Sequence, residues 1–277
     1  MKKWLRIGFV LLTVLAFAVV VAGCGGGEKA KETAGEGEKQ AAPEKQNLVF
    51  GSDTSYAPFE SYDANGKLVG FDVDLIDAIN EVSGLNIEMK TYDFKGLIPA
   101  LETATIDGAI SAMSITDERK QKVNFSVPYY KSGLATAVKV DNKDIKGFDD
   151  LEGKKIGVQT GTTGEIEASK VPNAQVVSFD TIDGAFMDLT NGALDAVVND
   201  FPVTAYYIAQ GNDQVKIVGD LRTSEYYGIA IPKQKPEVLE KVNAALKTLK
   251  ENGKYAEIYK KWFSVDPPAD LPGEPQS

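Results

Sequence analysis

From Asn47 onward, short apolar runs alternate with segments of helical periodicity, and this alternation constrains the possible folds more than any other feature. Residues 48–51 form an apolar run of strand length, and residues 71–82 place apolar side chains at helical spacing near one face. Residues 155–158 and 175–179 repeat the strand-like pattern in the second half of the chain. Strands that alternate with helices predict an α/β fold with mostly parallel sheets.

The N-terminal residues have the pattern of an export signal. A basic start precedes an apolar run over residues 7–22, which is short for a membrane span and ends in small residues beside Cys24. This junction resembles a bacterial lipobox. We therefore predict a signal peptide over residues 1–23 and lipidation of Cys24. The alternative is a single short transmembrane helix.

Residues 24–46 are predicted to be the lipidated cysteine and a flexible tether. After Cys24 this stretch is rich in Gly, Glu, Lys and Ala and has no large apolar side chain. It cannot bury enough surface to offset the entropy of ordering. The lipid would attach the protein to the extracytoplasmic face of the bacterial cell membrane.

Two absences in the composition exclude whole reaction classes. The chain has no histidine, which excludes Ser-His-Asp and Cys-His arrangements and the commonest metal ligand. Cys24 is the only cysteine, so no intrachain disulfide or thiolate zinc site can form. The formal net charge of −10 disfavours nucleic acid as a partner. We expect no metal, no cofactor and, without histidine, a ligand affinity that is flat between about pH 5.5 and 8.

Four loops follow the predicted inner strands, where the ligands of open α/β sheets bind. These loops carry aromatic side chains, hydroxyls, one arginine and two aspartates, a set that suits a small zwitterion. They are residues 53–59, 111–119, 160–164 and 199–200.

Each candidate residue in these loops also has a structural interpretation. Arg119 can hold a carboxylate in two parallel bonds, but it lies in the charge run 116–122, which is typical of a solvated helix start. Asp200 could instead cap a helix. Tyr56 and Phe94 could be ordinary core aromatics.

The glycines at 157, 161 and 164, followed by Asp180 after the next strand, imitate a dinucleotide-binding unit. Their spacing is G-x-x-x-G-x-x-G and not G-x-G-x-x-G, so the fingerprint fails at its tight turn. The threonines of residues 160–163 still begin a predicted helix, whose free N–H groups could hold a carboxylate.

Seven segments in order resemble the extracellular amino-acid-binding proteins of ABC importers, in particular the glutamine and arginine/lysine branch. The resemblance spans about 47–265, nearly the whole predicted folded part. The matching segments are residues 53–59, 70–75, 93–101, 114–119, 124–130, 252–255 and 258–263.

The resemblance implies a two-lobed, type II periplasmic-binding-protein-like fold. Each lobe would be a mostly parallel sheet flanked by helices, and two hinge strands would join the lobes. The implied ranges are 47–128 plus 229–266 for lobe 1, 134–223 for lobe 2, hinges near 129–133 and 224–228, and a C-terminal tail over 267–277.

The resemblance also implies which residues hold the parts that all L-amino acids share. Arg119 would bind the α-carboxylate, helped by Ser114 and by the loop at Thr162 and Thr163. Asp200 would pair with the α-ammonium. A buried zwitterion needs both of its charges matched.

Other residues would select the ligand side chain. Tyr56 and Phe94 would sandwich its aliphatic part, and Asp53 would reach its polar end. Gln159 and Asn199 stand where the glutamine-specific members have a lysine and a histidine. The preference between glutamine and arginine/lysine therefore stays open.

The implied function is a binding protein, expected to be a monomer, that closes on a polar L-amino acid and presents it to the permease subunits of an ABC importer. Two alternatives remain. One is a small-carboxylate lyase or hydrolase on the same fold, although residues 201–203 after Asp200 add no second acid. The other is a sensor module that feeds a signalling receptor.

Overall fold

The computed structural model describes residues 45–274 of the chain. The predicted signal peptide, the lipidation site Cys24 and the tether as far as residue 44 lie outside the described residues. Within residues 45–274, no helix combines the length and apolar composition needed to cross a membrane. No group of three or more acidic or other metal-ligating side chains in this range is placed to hold a metal ion.

Strands and helices alternate along the described chain. The strands are β1 (Gln46–Ser52), β2 (Ser55–Tyr56), β3 (Glu60–Tyr62), β4 (Leu68–Val69), β5 (Leu85–Thr91), β6 (Gly108–Ala109), β7 (Asn124–Phe125), β8 (Tyr130–Ser132), β9 (Leu134–Lys139), β10 (Lys155–Gln159), β11 (Gln175–Phe179), β12 (Ala196–Asp200), β13 (Val215–Val218), β14 (Glu225–Tyr227) and β15 (Ala230–Ile231). The helices are α1 (Phe71–Val82), α2 (Phe94–Glu102), α3 (Asp117–Lys122), α4 (Thr163–Ala168), α5 (Ile182–Thr190), α6 (Phe201–Ala209), α7 (Pro236–Glu251) and α8 (Lys254–Phe263), with one 3-10 turn at Phe148–Asp150.

The first sheet has the strand order β5-β1-β6-β15-β7. The strands β5, β1 and β6 are parallel, and β15 is antiparallel to both of its neighbours. Strand β1 begins at Gln46, inside the predicted tether, because Gln46 pairs with Leu85 and its N–H donates to the carbonyl of Gly84 at 3.3 Å. The first strand thus begins at the last residue of the predicted tether.

The second sheet repeats this arrangement with the order β11-β10-β12-β9-β13. Here β9 is the antiparallel strand, and it lies between β12 and β13. In both sheets four strands run in one direction and a single strand opposes them. The carboxyl ends of the parallel strands therefore meet at one edge of each sheet, where ligands of such sheets bind.

A short antiparallel ribbon lies between the two sheets. It pairs β8 with β14, and Glu225 lies opposite Ser132. The strands of the first sheet, apart from Gln46, lie in the ranges predicted for lobe 1, and those of the second lie in the range predicted for lobe 2. We keep the names lobe 1, lobe 2 and hinge ribbon for these parts; the exact lobe boundaries stay a prediction.

The hinge ribbon is packed against the aromatic core of lobe 1. The ring centroids of Tyr130 and Tyr227 are 5.5 Å apart and stacked, and the ring of Phe59 contacts both at 5.0 and 5.3 Å. Tyr255 of α8 donates its hydroxyl to the carbonyl of Tyr129 at 2.6 Å. Aromatic pairs of this kind contribute about 0.5–1.5 kcal/mol each beyond their buried area. The ribbon is therefore fixed firmly at its lobe 1 end.

The described part of the predicted C-terminal tail, residues 267–274, also packs on lobe 1. Leu271 is buried, and the N–H of Gly273 donates to the carbonyl of Pro128 at 2.9 Å. Lys250 donates to the carbonyls of Asp270 and Pro272 at 2.7 and 3.1 Å. The tail thus covers the chain just before the hinge ribbon.

Candidate functional site

The candidate residues converge where the strand ends of the two sheets face each other. Asp53 and Tyr56 follow β1, and Ser114 and Arg119 follow β6, all in lobe 1. Across the cleft, Gln159 ends β10 and Asp200 ends β12. Direct hydrogen bonds join the lobe 1 residues to the lobe 2 residues.

Asp53 is buried and is held by neutral partners. Its carboxylate accepts hydrogen bonds from the Ser55 hydroxyl at 2.7 Å and from the amide of Gln159 in lobe 2. Its backbone N–H donates to Ser111 at 2.9 Å. Burial raises the pKa of Asp53, because a desolvated carboxylate without a cation is unfavourable. In the described chain, Asp53 forms no ion pair.

Asp200, at the end of β12, is a buried carboxylate with one oxygen unpartnered in the described chain. Its Oδ2 lies 2.8 Å from the Tyr56 hydroxyl, which lies equally close to Oδ1 of Asn199. Its Oδ1 is buried and has no hydrogen-bond partner among the described residues. Burial, followed by the charge of Glu225, raises the pKa of Asp200 to about 7. The carboxylate does not cap α6, so the helix-cap interpretation is wrong for the side chain.

Arg119 is the buried member of an exposed charge run. Only 7% of it is exposed, whereas Glu118 and Lys120 on either side are exposed. It donates to the carbonyl of Ser114 at 2.7 Å and, across the cleft, to that of Gly161 at 3.0 Å. The solvated-helix interpretation is therefore wrong at this position. Burial lowers the pKa of Arg119, but a guanidinium stays charged.

Phe94, at the start of α2, forms one wall beside this arginine. Its ring centroid is 5.3 Å from the guanidinium carbon of Arg119, and the ring is half-buried. Such stacking holds a guanidinium in one plane.

Gly161 is needed where the lobe 2 loop approaches lobe 1. Its φ of +81° lies in the left-handed region, and a Cβ atom there would come within 3.2 Å of the backbone of Lys95. Lys95 also forms an exposed ion pair across the cleft with Asp180 at 2.6 Å. A glycine thus allows the lobe 2 loop to reach Arg119.

The two threonines of this loop have different partners. Thr162 caps α4, because its hydroxyl accepts from the N–H of Glu165 at 3.3 Å and donates to the carbonyl of Gln159 at 2.7 Å. Thr163 instead directs its hydroxyl toward the hinge ribbon and donates to Glu225 at 2.9 Å. The side chain of Thr162 is therefore engaged within lobe 2.

Glu225 is a site residue that the sequence analysis missed. The Ser114 hydroxyl donates to the same carboxylate oxygen that accepts from Thr163. Thr223 donates to its other oxygen at 2.7 Å. The only signal available was an acid within the hinge strand predicted over 224–228, and no motif marks it.

A cavity of about 380 Å³ adjoins the site on the Asp53 side. It lies between the lobes, and its lining includes Ser55, Asp183, Phe186 and Tyr206. Burial, followed by the charge of Asp53, raises the pKa of Asp183. The region beyond Asp53 therefore combines space, aromatic surface and a second acid.

Comparisons with known proteins agree with this architecture. A family model described as bacterial extracellular solute-binding proteins, family 3, matches residues 48–265. The chain is 35% identical to a probable histidine-binding protein of Neisseria gonorrhoeae, over 96% of this chain and 97% of that protein.

Two solved structures are similar over most of the described residues. An ancestral arginine-binding protein bound to arginine is 46% identical, with a TM-score of 0.77, and the match covers 79% of this chain and 99% of that one. An ancestral amino-acid-binding protein, described as a precursor of cyclohexadienyl dehydratase, is 42% identical with a TM-score of 0.73, covering 78% and 95%. The fold class predicted from the sequence is confirmed.

Proposed function

The chain belongs to family 3 of the bacterial extracellular solute-binding proteins, and on this basis we propose that it binds a cationic L-amino acid of the arginine class. The ligand would be held between the two lobes and delivered to the permease of an ABC importer. The sequence left the preference open between glutamine and arginine/lysine, and the proposal selects the arginine/lysine class.

The observation that supports the arginine class is the charge pattern of the cleft. Asp53 and Asp200 are buried carboxylates with no ion-pair partner in the described chain, and Arg119 is a buried guanidinium. L-Arginine carries the complementary set of one carboxylate and two cationic groups. Burying a charge without a partner is strongly unfavourable, so a ligand that matches all three side chains is favoured. Glutamine would leave Asp53 without a cation.

The proposed contacts follow from this pattern. Arg119 would hold the ligand α-carboxylate, together with the backbone N–H groups at the start of α4. The free Oδ1 of Asp200 would accept from the α-ammonium. Asp53 would pair with the cationic end of the ligand side chain, beside Gln159.

The aromatic side chains would cover the aliphatic part of the ligand. Phe94 already stacks on Arg119, and Tyr56 is buried beside Asp200. The cavity that includes Asp183 offers space for the outer end of a long side chain. A flat guanidinium suits such a site, because it stacks on aromatic rings and forms paired bonds with carboxylates.

We propose that the ligand acts by stabilising the closed arrangement. Contacts such as Gln159 with Asp53 and Arg119 with Gly161 join the lobes across the cleft. A ligand held by both lobes binds the closed state more tightly than the open state and shifts the population toward it. The permease would recognise the closed form.

We propose that the protein works as a lipid-anchored monomer at the extracytoplasmic face of the membrane. Support for the signal peptide over residues 1–23 and for lipidation of Cys24 comes from the sequence pattern alone.

We also propose that the ligand leaves chemically unchanged. The turn after Asp200 adds no second acid, but the hinge ribbon brings Glu225 close enough to influence Asp200, after the larger effect of burial. The turn alone therefore does not support this proposal. Support comes instead from the relatives, whose names describe binding proteins. The neighbour described as the precursor of a dehydratase is itself named as an amino-acid-binding protein.

The test is calorimetric titration of exported protein carrying Cys24→Ser, unfolded and refolded first to remove carried-over ligand. We expect tight one-to-one binding of L-arginine, weaker binding of L-glutamine, and recovery of the ligand unchanged by mass spectrometry. Glutamine binding more tightly than arginine and lysine would contradict the proposed class, and a chemically altered ligand would support the enzyme alternative.

A further inference from the structure

We propose that Glu225 is an interlobe latch, a positioning residue in the hinge ribbon that stabilises closure on every amino acid alike. This proposal rests on the proposed function, since it concerns the same cleft. Glu225 would act through Ser114 and Thr163 and would not touch the ligand.

The geometry of the latch joins three parts of the molecule at one carboxylate. Ser114 of lobe 1 and Thr163 of lobe 2 both donate to Oε2 of Glu225, and Thr223 donates to Oε1. Hydrogen bonds to an ionised acceptor are stronger than bonds between neutral groups. Both oxygens are satisfied when the lobes are closed.

Only one of these bonds depends on closure. Ser114 forms a bridge with Tyr227 of the ribbon, and the N–H of Ile115 donates to the carbonyl of Tyr226 at 2.8 Å. The Ser114 loop therefore stays beside Glu225 whatever lobe 2 does. Thr163 belongs to the α4 end of lobe 2 and would move away when the cleft opens. The bond from Thr163 to Glu225 is thus formed on closing.

The ribbon itself is a rigid base for the latch. Tyr227, two residues after Glu225, is fully buried, donates to Ser132 at 2.9 Å and stacks on Tyr130. The other end of the strand contacts lobe 2, where Thr223 accepts from the N–H of Leu134 at 3.0 Å. Because Tyr227 is held this firmly, we expect Glu225 to stay with lobe 1 while Thr163 moves with lobe 2. Opening must therefore break the bond.

The latch also orients two hydroxyls at the cleft. A hydroxyl has one proton, and in Ser114 and Thr163 this proton is directed to Glu225. Toward the cleft each then offers lone pairs, which suit the α-ammonium of the ligand. This group is common to all amino acids, so losing Glu225 should weaken their binding by the same factor.

The opposite possibility is that Glu225 competes with the ligand carboxylate for the hydroxyls of Ser114 and Thr163. Removing a competitor would tighten binding. The sign of the change in affinity therefore distinguishes a latch from a competitor.

The experiment compares Glu225→Ala and the isosteric Glu225→Gln in the exported protein, with Glu240→Gln as a control for charge, because Glu240 is exposed on α7. We expect Glu225→Ala to raise the dissociation constant for L-arginine, L-lysine and L-glutamine by a common factor of about ten, the size expected for one charge-assisted hydrogen bond. Dissociation should become faster, and Glu240→Gln should behave as the wild type.

A second readout needs no ligand. The distance between a fluorophore pair, one on each lobe, should lengthen on average in ligand-free Glu225→Ala and Glu225→Gln. Thr163→Val should give the same lengthening, and combining it with Glu225→Ala should add little, because both variants remove the bond from Thr163 to Glu225, which is the bond that depends on closure. If Glu225→Ala fails to fold, Thr163→Val still tests the bond from the other side.

An unchanged lobe distance with equal or tighter ligand binding in these variants would overturn the latch. Failure of the latch can be distinguished from failure of the proposed function. If arginine is not the ligand, the lobe distance of the ligand-free protein still reports on Glu225.

Discussion

The hydroxyl of Tyr56 lies 2.8 Å from Oδ2 of Asp200, so a side chain of lobe 1 fixes the carboxylate that lobe 2 presents to the cleft. The two residues are 144 positions apart in the chain. This contact leaves Oδ1 of Asp200 buried and without a partner among the described residues. A cationic group of a ligand would donate to this oxygen, so binding should depend on the charge of Asp200.

The affinity should depend on pH because Asp200 titrates near neutrality. Burial raises its pKa to about 7, and the ammonium of a ligand needs the ionised form. Below that pKa the free site carries a proton that must leave on binding, so affinity falls as the pH falls. We expect roughly a tenfold weakening between pH 8 and pH 6. This prediction replaces the flat profile that the absence of histidine led us to expect.

Calorimetry in two buffers of different ionisation enthalpy measures this effect directly, since binding at pH 6 should release about one proton. The matched control is Asp200→Asn, which should bind weakly and without the pH dependence. A wild-type affinity that is equal at pH 6 and pH 8 would mean that Asp200 is ionised throughout.

Arg119→Ala should abolish binding of every amino acid, with a loss of at least about 100-fold, because the variant lacks the guanidinium that would form two parallel bonds with the ligand carboxylate. Arg119→Lys should also bind poorly, since lysine keeps the charge but lacks the fork. Lys120→Ala, in the exposed part of the same charge run, is the control and should bind normally. Near-native affinity of Arg119→Ala would show that the site is misplaced.

Asp53→Asn should change the preference and leave general binding intact. Loss of the carboxylate removes the partner of a cationic side chain, so L-arginine and L-lysine should bind at least about tenfold more weakly. L-Glutamine should change by less than about threefold. Asp144→Asn, an exposed aspartate in the segment between β9 and β10, is the matched control. An equal loss for all ligands would place Asp53 at the common part of the amino acid.

The stability of the ligand-free protein should fall as the pH rises, because Glu60 and Asp72 form a buried carboxyl pair. Burial raises the pKa of both groups, for Asp72 to about 7, and the charge of Asp72 raises the pKa of Glu60 further. Each has a buried oxygen with no hydrogen-bond partner among the described residues, which a proton shared by the pair would satisfy. The pair holds a proton in the folded state that the unfolded chain releases above about pH 4.5. The pair's contribution to folding stability is therefore fully present below about pH 4.5 and is lost as the pH rises from there through the folded pKa, at up to about 1.4 kcal/mol per pH unit for one proton.

Urea unfolding between pH 5 and pH 8 tests this pair. Glu60→Gln should reduce the slope, because an amide can donate to Asp72 without titrating. Glu240→Gln should keep the wild-type slope. An unchanged slope in Glu60→Gln would show that other groups hold the proton.

The secondary structure could be predicted largely from local patterns. Helix α1 was predicted over residues 71–82 and is found as Phe71–Val82, because its apolar spacing and the stop at Gly84 are local signals. The mostly parallel pairing also follows, because strands that alternate with helices are joined by crossovers to parallel neighbours. The two lobes were implied by the family resemblance.

The site was predictable only as far as a motif or a resemblance marked its residues. Arg119 lies in a charge run that is typical of a solvated helix start, but in the structure it is buried where the Gly161 loop approaches it. Glu225 carries no motif, and its partner Thr163 is 62 positions away.

By itself the sequence determined the fold class, the export pattern, the absence of histidine and thiolate chemistry, and the segments that resemble a binding-protein family. These properties depend on residue identity and local spacing. Only the tertiary structure decided that Asp53, Arg119 and Asp200 are desolvated together and that Glu225 joins both lobes. Burial and electrostatic coupling depend on the distances between side chains from remote segments, and those distances exist only once both sheets have folded and the hinge ribbon has brought their loops face to face.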